Sequence, residues 1–138
     1  MTLPELENLV GSGQLKRAAP SAAELAGLVR AGEARLRDAQ VAGLSPEGRF
    51  DLAYNAAHAL ALALLWHQGY RAENRYIVFQ VLPQTGGLPL ATARILIKAH
   101  EVRNKLEYEG EGEVGDRLLK ELLAATEAVA QAVRVRLK

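Results

Sequence analysis

The chain has 138 residues, no cysteine and a formal net charge of +1, from 17 Lys plus Arg against 16 Asp plus Glu. That length is typical of one domain with one core, so we expect a single domain over residues 1–138. The lack of cysteine excludes disulfides, thiolate metal sites and cysteine nucleophiles. The near balance of charge gives no global reason to expect a nucleic acid or an anionic membrane as partner, so local patches must decide.

The chain carries no sign of a membrane or secretory protein. Its first ten residues, MTLPELENLV, are acidic and too short in apolar run for a signal peptide. No stretch reaches the roughly 18 apolar residues that a membrane span needs. We therefore expect a cytoplasmic protein without a membrane partner.

Helix starts are marked by capping residues. In TLPE and SAAE, Thr2 and Ser21 each precede a glutamate by three residues, and in LSPEG, Ser45 precedes Pro46 at a first helical position. Abundant Ala, Leu, Arg and Glu, with few β-branched runs, favour helices throughout. The sequence thus predicts an all-α bundle of five or six helices. Their approximate ranges are 3–11, 21–41, 46–68, 73–83, 88–107 and 114–137.

The predicted helix at 46–68 differs from the others. Its segment FDLAYNAAHALALALLW is rich in Ala and Leu nearly all round, whereas the helices at 21–41 and 114–137 each have one apolar face. A helix that is apolar on nearly every side is covered by protein, so we expect this one to be the most buried. Because a bundle of this size has difficulty in surrounding such a helix, we also expect self-association.

A polar stripe runs along that same helix. Asp51, Asn55 and His58 lie at i, i+4 and i+7, on one face, with Tyr54 beside them. An unsatisfied buried polar group costs about 1–3 kcal/mol, so these side chains need partners or water. Two interpretations stay open: a structural network or wet helix end, and a cleft that faces the helix at 88–107.

The helix predicted at 88–107 carries an apolar strip and, beside it, a polar strip with His100, Arg103, Asn104 and Glu107. A guanidinium binds oxyanions bidentately and stays charged at any working pH, which makes Arg103 a candidate phosphate ligand. The alternative is an ordinary surface ion pair between Arg103 and Glu107, worth about a few tenths of a kcal/mol.

Roughly residues 48 to 110 resemble the HEPN superfamily, named for higher eukaryotes and prokaryotes nucleotide-binding domains. The features that carry the resemblance are the alanine-rich helix ending in HQGYR, the Gly-bearing turn of FQVLPQTGG, and above all VRNKLEY in LIKAHEVRNKLEYEG. The resemblance implies an antiparallel helical bundle, commonly a homodimer, in which the VRNKLEY segments of two protomers face one cleft.

The chain departs from the family's catalytic pattern. HEPN members that act as metal-independent ribonucleases carry an Arg, usually a polar residue next, and a His four to six residues after the Arg. Arg103 and Asn104 match, but Glu107 and Tyr108 stand four and five residues on, and no His follows His100. A phenol with a pKa near 10 exchanges protons poorly at neutral pH, whereas imidazole does so readily. The motif thus keeps an anion clamp and lacks the usual proton shuttle.

Three functions are compatible with these residues. The first is a non-catalytic nucleotide- or phosphate-binding protein, similar to the small HEPN partners of minimal nucleotidyltransferases in toxin–antitoxin or nucleotide-modifying systems. The second is an RNA-cleaving toxin whose base is His100 or His58, and the third is a helical interaction protein with a structural polar stripe. Neither a metal nor a cofactor is predicted. In the first function the site residues are Arg103, Asn104, Tyr108, His58, Asn55 and Asp51.

Overall fold

The computed structural model describes residues 3–110 and 112–137, and this part of the chain is an all-α bundle, as predicted. A π-helical turn, Lys105–Glu109, continues the sixth helix, and two short strands, β1 (Lys16–Arg17) and β2 (Tyr70–Arg71), pair antiparallel. The α-helices are α1 (Pro4–Gly11), α2 (Ala22–Ala39), α3 (Pro46–His67), α4 (Arg75–Gln80), α5 (Leu82–Gly86), α6 (Leu90–Asn104) and α7 (Asp116–Arg136).

Two of the predicted caps are present. Ser21 Oγ accepts a hydrogen bond from the backbone N–H of Glu24, and Ser45 Oγ accepts one from Gly48, each at 3.0 Å. The third predicted cap, Thr2, lies outside the described residues. Capping signals in the sequence therefore locate the starts of α2 and α3.

Within residues 3–110 and 112–137 there are seven α-helices instead of the five or six that the sequence predicts. The helix expected at 73–83 divides at Val81 into α4 and α5, with Pro83 in the first turn of α5. Proline lacks a backbone N–H and cannot continue the ladder of a preceding helix, which accounts for the break. The two-residue strands are also unpredicted, because neither is long enough to show an alternating pattern.

The helix α3 is the most buried, as expected. It contains eleven buried residues, whereas α7 contains seven. Both α2 and α7 pack along it, and the backbone of α2 comes close at Gly32, where a Cβ atom would lie 2.6 Å from Leu60 Cγ. A side chain at that position would collide with the core, so glycine permits the close packing of α2 on α3.

One line of α3 side chains is left exposed or half-buried, and we call it the open stripe: Asp51, Asn55, His58, Leu62 and Trp66. The spacing of three to four residues places them on one face of the helix. Both α4 and α6 pack near this face. Every helix in residues 3–110 and 112–137 is too short or too polar to cross a lipid bilayer.

Candidate functional site

Tyr54 forms the centre of the candidate site. Its side chain is fully buried in α3, and its hydroxyl lies 2.8 Å from Nδ1 of His100 on α6. The two rings stack with centroids 6.1 Å apart, and Phe79 of α4 meets the tyrosine ring edge-on at 5.9 Å. Three helices thus converge on one aromatic ring.

The second nitrogen of His100 also has a partner. The side-chain amide of Asn104, one turn further along α6, donates from Nδ2 to His100 Nε2 at 3.4 Å. The hydroxyl of Tyr54 and the amide of Asn104 thus lie against the two ring nitrogens of His100. Both nitrogens are therefore engaged, which leaves His100 without a free atom for proton transfer.

Two arginines approach Tyr54 from different helices. The guanidinium carbons of Arg75, at the start of α4, and Arg103, near the end of α6, each lie 5.6 Å from the centre of its ring. These are cation–π distances, so the buried ring helps to hold both cations. Arg75 also donates to the Oδ1 atom of Asn55 at 3.5 Å. We refer to Tyr54, His58, Arg75, His100 and Arg103 as the Tyr54 cluster.

Positive charge exceeds negative charge in the Tyr54 cluster. Arg103 pairs with Glu107 at 3.0 Å, as the spacing in the sequence suggests. The side chain of Arg103 is only 21% exposed, whereas that of Glu107 is 51% exposed. Arg103 Nε is buried and makes no hydrogen bond to the residues described. Arg75 forms no ion pair with them either. Arg75 and Arg103 thus bring two positive charges to the cluster, whereas Glu107, the one carboxylate among the described residues that pairs with either of them, is at the edge.

The pKa values of His58 and His100 are both lowered, first by burial and then by the nearby positive charges. Burial, and after it the charges of Arg75, His100 and Arg103, lowers the pKa of His58 from 6.5 to about 4. Burial, followed by Arg103 and Arg75, also lowers the pKa of His100. Both imidazoles are therefore neutral at pH 7. The ring of His58 packs edge-on to Phe79 at 6.1 Å.

The structure brings most of the predicted site residues together. Asn55, His58, Arg103 and Asn104 are all part of the cluster or bonded to it. Tyr108 is at the rim, 75% exposed in the π-helical turn, with its ring centre 6.0 Å from the guanidinium carbon of Arg103.

Asp51 stands apart from the cluster. Its side chain is exposed on the first turns of α3. Its backbone carbonyl accepts a hydrogen bond at 2.9 Å from Nδ2 of Asn55. Within the described residues the structure therefore gives Asp51 a helix-surface position, and the polar stripe joins the cluster at Asn55 and His58.

Sequence reasoning missed Arg75. Nothing in its spacing connects it with Arg103, since both reach the Tyr54 ring only because α4 and α6 pack near the same part of α3. A local signal does exist: Arg75 follows the cap residue Asn74 and occupies the first turn of a short, mostly apolar helix. A cation at a helix N-terminus interacts unfavourably with the helix dipole, so the position of Arg75 is not explained by the stability of α4.

Comparison of the chain with protein-family models, with curated proteins and with solved structures found no match. Its function must therefore be inferred from the charges and contacts of the Tyr54 cluster.

Proposed function

We propose that the Tyr54 cluster binds an oxyanion, the phosphate of a nucleotide or of another phosphorylated ligand, without cleaving it. The observation that carries this proposal is the convergence of Arg75 and Arg103, from two helices, on one buried aromatic ring. Guanidinium groups bind phosphate oxygens with paired, charge-assisted hydrogen bonds. The side chain of Arg103 is 21% exposed, so part of it can be reached by a ligand from the solvent.

A purely structural role explains part of the cluster but not all of it. The hydrogen bonds between Tyr54, His100 and Asn104 satisfy one another and tie α3 to α6. They do not account for a buried guanidinium nitrogen without a partner, nor for a second arginine without a carboxylate. Surplus positive charge also costs free energy, which a bound anion would offset.

RNA cleavage is the second candidate, and the observation that favours it is the position of His58 beside both arginines. With His100 bonded at both nitrogens and Tyr108 exposed at the rim, His58 is the better candidate base. A general base works best with a pKa near the working pH, however, and a pKa of about 4 makes His58 a weak one. The geometry therefore favours binding over catalysis.

We further propose, on the HEPN resemblance, that the protein is a homodimer whose two Tyr54 clusters face one cleft, and that its partner is a minimal nucleotidyltransferase. The exposed Tyr108 beside Arg103 supports this, because it offers contact surface next to the cluster. A second copy would also double the positive charge near the axis. Light scattering should give a dimer at micromolar concentration; a monomer would contradict the first part of this proposal.

The binding proposal is tested by calorimetric titration with pyrophosphate at low salt. Arg103→Gln should weaken the affinity at least tenfold, since a charge-assisted hydrogen bond contributes about 1.5–3 kcal/mol. Arg94→Gln is the matched control, because Arg94 is exposed on the same helix. Equal affinity in the two variants, or no binding by the unaltered protein, would contradict the proposal.

A metal-free RNA cleavage assay decides between the two candidates. We expect no cleavage by the unaltered protein in the presence of a chelator. Robust cleavage that His58→Ala removes would replace the binding proposal by the ribonuclease one.

A further inference from the structure

A cleft of about 580 Å³ opens between the second half of α3, the β1–β2 ribbon and the start of α4. This volume is within the range of small-molecule sites, which are mostly apolar with a few polar groups for orientation. We call it the Trp66 cleft. Its apolar wall is formed by Leu62, Trp66, Ala72 and Ile77, and its polar groups include Gln14, Lys16, Arg71, Glu73 and Asn74.

In this cleft the guanidinium of Arg71 packs over one face of the Trp66 indole. The guanidinium carbon of Arg71 lies 3.9 Å from the centre of the indole ring, and Glu24 holds the same guanidinium at 3.1 Å. Aromatic rings and guanidinium planes are the surfaces on which nucleic-acid bases stack. The pair is therefore suited to a planar heteroaromatic group.

The charges in the Trp66 cleft are balanced, unlike those of the Tyr54 cluster. Arg71 pairs with Glu24, and Lys16 pairs with Glu73 at 3.5 Å. Asn74 accepts the backbone N–H of Tyr76 with its Oδ1, which leaves the amide NH₂ as a hydrogen-bond donor. A neutral ring with acceptors at its edge fits this environment better than a phosphate does.

The cleft adjoins the Tyr54 cluster. Asn74 lines the cleft, and the next residue, Arg75, reaches Tyr54. The open stripe makes the same connection along α3: His58, Leu62 and Trp66 are four residues apart on one face. At 1.5 Å per residue, Leu62 is roughly 6 Å and Trp66 roughly 12 Å from His58 along the helix axis. A ligand that occupies both places must therefore be larger than a free phosphate, and a nucleotide is such a ligand.

We propose that the Trp66 cleft binds the base of a nucleotide whose phosphates lie on Arg75 and Arg103. The phosphate-binding part of this proposal rests on the function proposed above. The base-binding part rests on the stacked Trp66–Arg71 pair, the apolar wall and the balanced charges of the cleft.

Trp66 is the one tryptophan of the chain, so its fluorescence reports on the cleft directly. The unaltered protein is titrated with ADP, adenosine and pyrophosphate, with excitation at the red edge of the tryptophan band. We expect ADP to quench the emission and to bind about tenfold tighter than pyrophosphate, in line with the energy of base–aromatic stacking. This measurement needs no variant that must fold.

The matched variants are Trp66→Leu and Tyr76→Leu, since Tyr76 is an exposed aromatic that does not line the cleft. By calorimetry, Trp66→Leu should lower the affinity for ADP to that for pyrophosphate and leave pyrophosphate binding unchanged. Tyr76→Leu should change neither. Far-ultraviolet circular dichroism checks that both variants keep their helices.

The outcomes separate the two proposals. If pyrophosphate binds but ADP binds no tighter and quenches nothing, the base site is wrong and the phosphate site stands. If adenosine quenches Trp66 while pyrophosphate fails to bind, the proposed function is wrong and the cleft is a nucleoside site. Absence of binding by all three ligands overturns both. A parallel titration with oligoadenylate identifies the source of the nucleotide: tighter binding than ADP indicates an RNA strand, weaker binding a free nucleotide.

Discussion

Two clusters in this molecule combine tyrosine with arginine but differ in their charge balance: one is neutral and the other is positive. In one, Tyr70 and Arg17 both donate hydrogen bonds to Glu7, which fastens α1 to the β1–β2 ribbon. In the other, Tyr54 has an arginine on each of two neighbouring helices, and its hydroxyl partner is a histidine. The residue types are similar, but only the first cluster has a carboxylate at its centre.

The pKa values show what this difference means. Arg17 and then Tyr70 lower the pKa of Glu7, as in a closed ion pair with its own internal counter-charge. In the Tyr54 cluster the groups with lowered pKa values are His58 and His100, which burial and then the nearby cations keep neutral. A cluster that neutralises itself is structural, whereas one with surplus charge is suited to a charged ligand.

The largest expected effect is the pH dependence that His58 gives to the free energy of unfolding. Unfolded His58 takes up a proton near pH 6.5, whereas the folded protein does so only near pH 4, so the free energy of unfolding should fall as the pH falls between these values. The full shift corresponds to about 3 kcal/mol, and partial exposure reduces it to on the order of 2 kcal/mol. Urea unfolding curves across this range measure it.

The control is His67→Gln, because His67 is exposed at the end of α3. That variant should keep the slope, and His58→Gln should lose most of it. Glu7 contributes in a different window, because its pKa is lowered from 4.5 and its stabilisation is lost only as the pH falls further. A flat profile between pH 6.5 and 4.5, or the same slope in His58→Gln, would contradict the lowered pKa of His58, which burial causes first and the neighbouring cations second.

A smaller effect should follow from supplying the missing carboxylate. Asn55→Asp changes almost no volume and places a negative oxygen beside Arg75, whose Nη1 is 3.5 Å from the present amide oxygen. We expect about a tenfold loss of pyrophosphate affinity, whereas the new ion pair with Arg75 is offset in stability by the loss of the hydrogen bond that Nδ2 of Asn55 donates to the carbonyl of Asp51.

Asn8→Asp provides the comparison for that substitution, since it adds the same charge at an exposed position on α1. It should change the affinity little at physiological salt, because screening weakens interactions between distant exposed charges. Equal losses in the two variants would mean that only the net charge of the chain matters.

The smallest expected effect comes from removing the hydroxyl group of Tyr54, which is compared with the same change at Tyr70. Tyr54→Phe and Tyr70→Phe each remove one partly buried hydrogen bond and should lower the free energy of unfolding by about 1 kcal/mol and about 1.5 kcal/mol respectively, since the Tyr70 bond is to a carboxylate. Only Tyr54→Phe should also weaken pyrophosphate binding, severalfold, because His100 and the neighbouring Arg103 lose a positioning contact. Matching affinities in the two variants would show that the Tyr54 hydroxyl has no part in the site.

The sequence predicts the framework well because its signals there are local. Alanines and leucines on all sides of α3 identify the central helix, and Ser21 and Ser45 mark where helices begin. The break at Val81 is harder to predict, because the apolar run continues through it and only Pro83 indicates a stop. The β1–β2 ribbon rests on pairing between Lys16 and Arg71, which are far apart in the chain.

The candidate site is predictable only in part. Asn55, His58 and Arg103 can be selected from helical spacing, because each lies on the polar side of one helix. Arg75 cannot, since its place beside Tyr54 depends on how a separate short helix packs against α6. Surplus charge belongs to the assembled cluster, so no single segment of the sequence shows it.

The central claim is that an anion binds among Arg75, Arg103 and His58. The most direct test is a pH titration of the histidine imidazoles by NMR, with and without pyrophosphate. An anion within a few ångströms of His58 should raise its pKa by about one unit or more, while pyrophosphate should leave the NMR signals of the exposed His67 in place. If pyrophosphate leaves the pKa of His58 where it is, or shifts both histidines equally, the Tyr54 cluster is not an anion site.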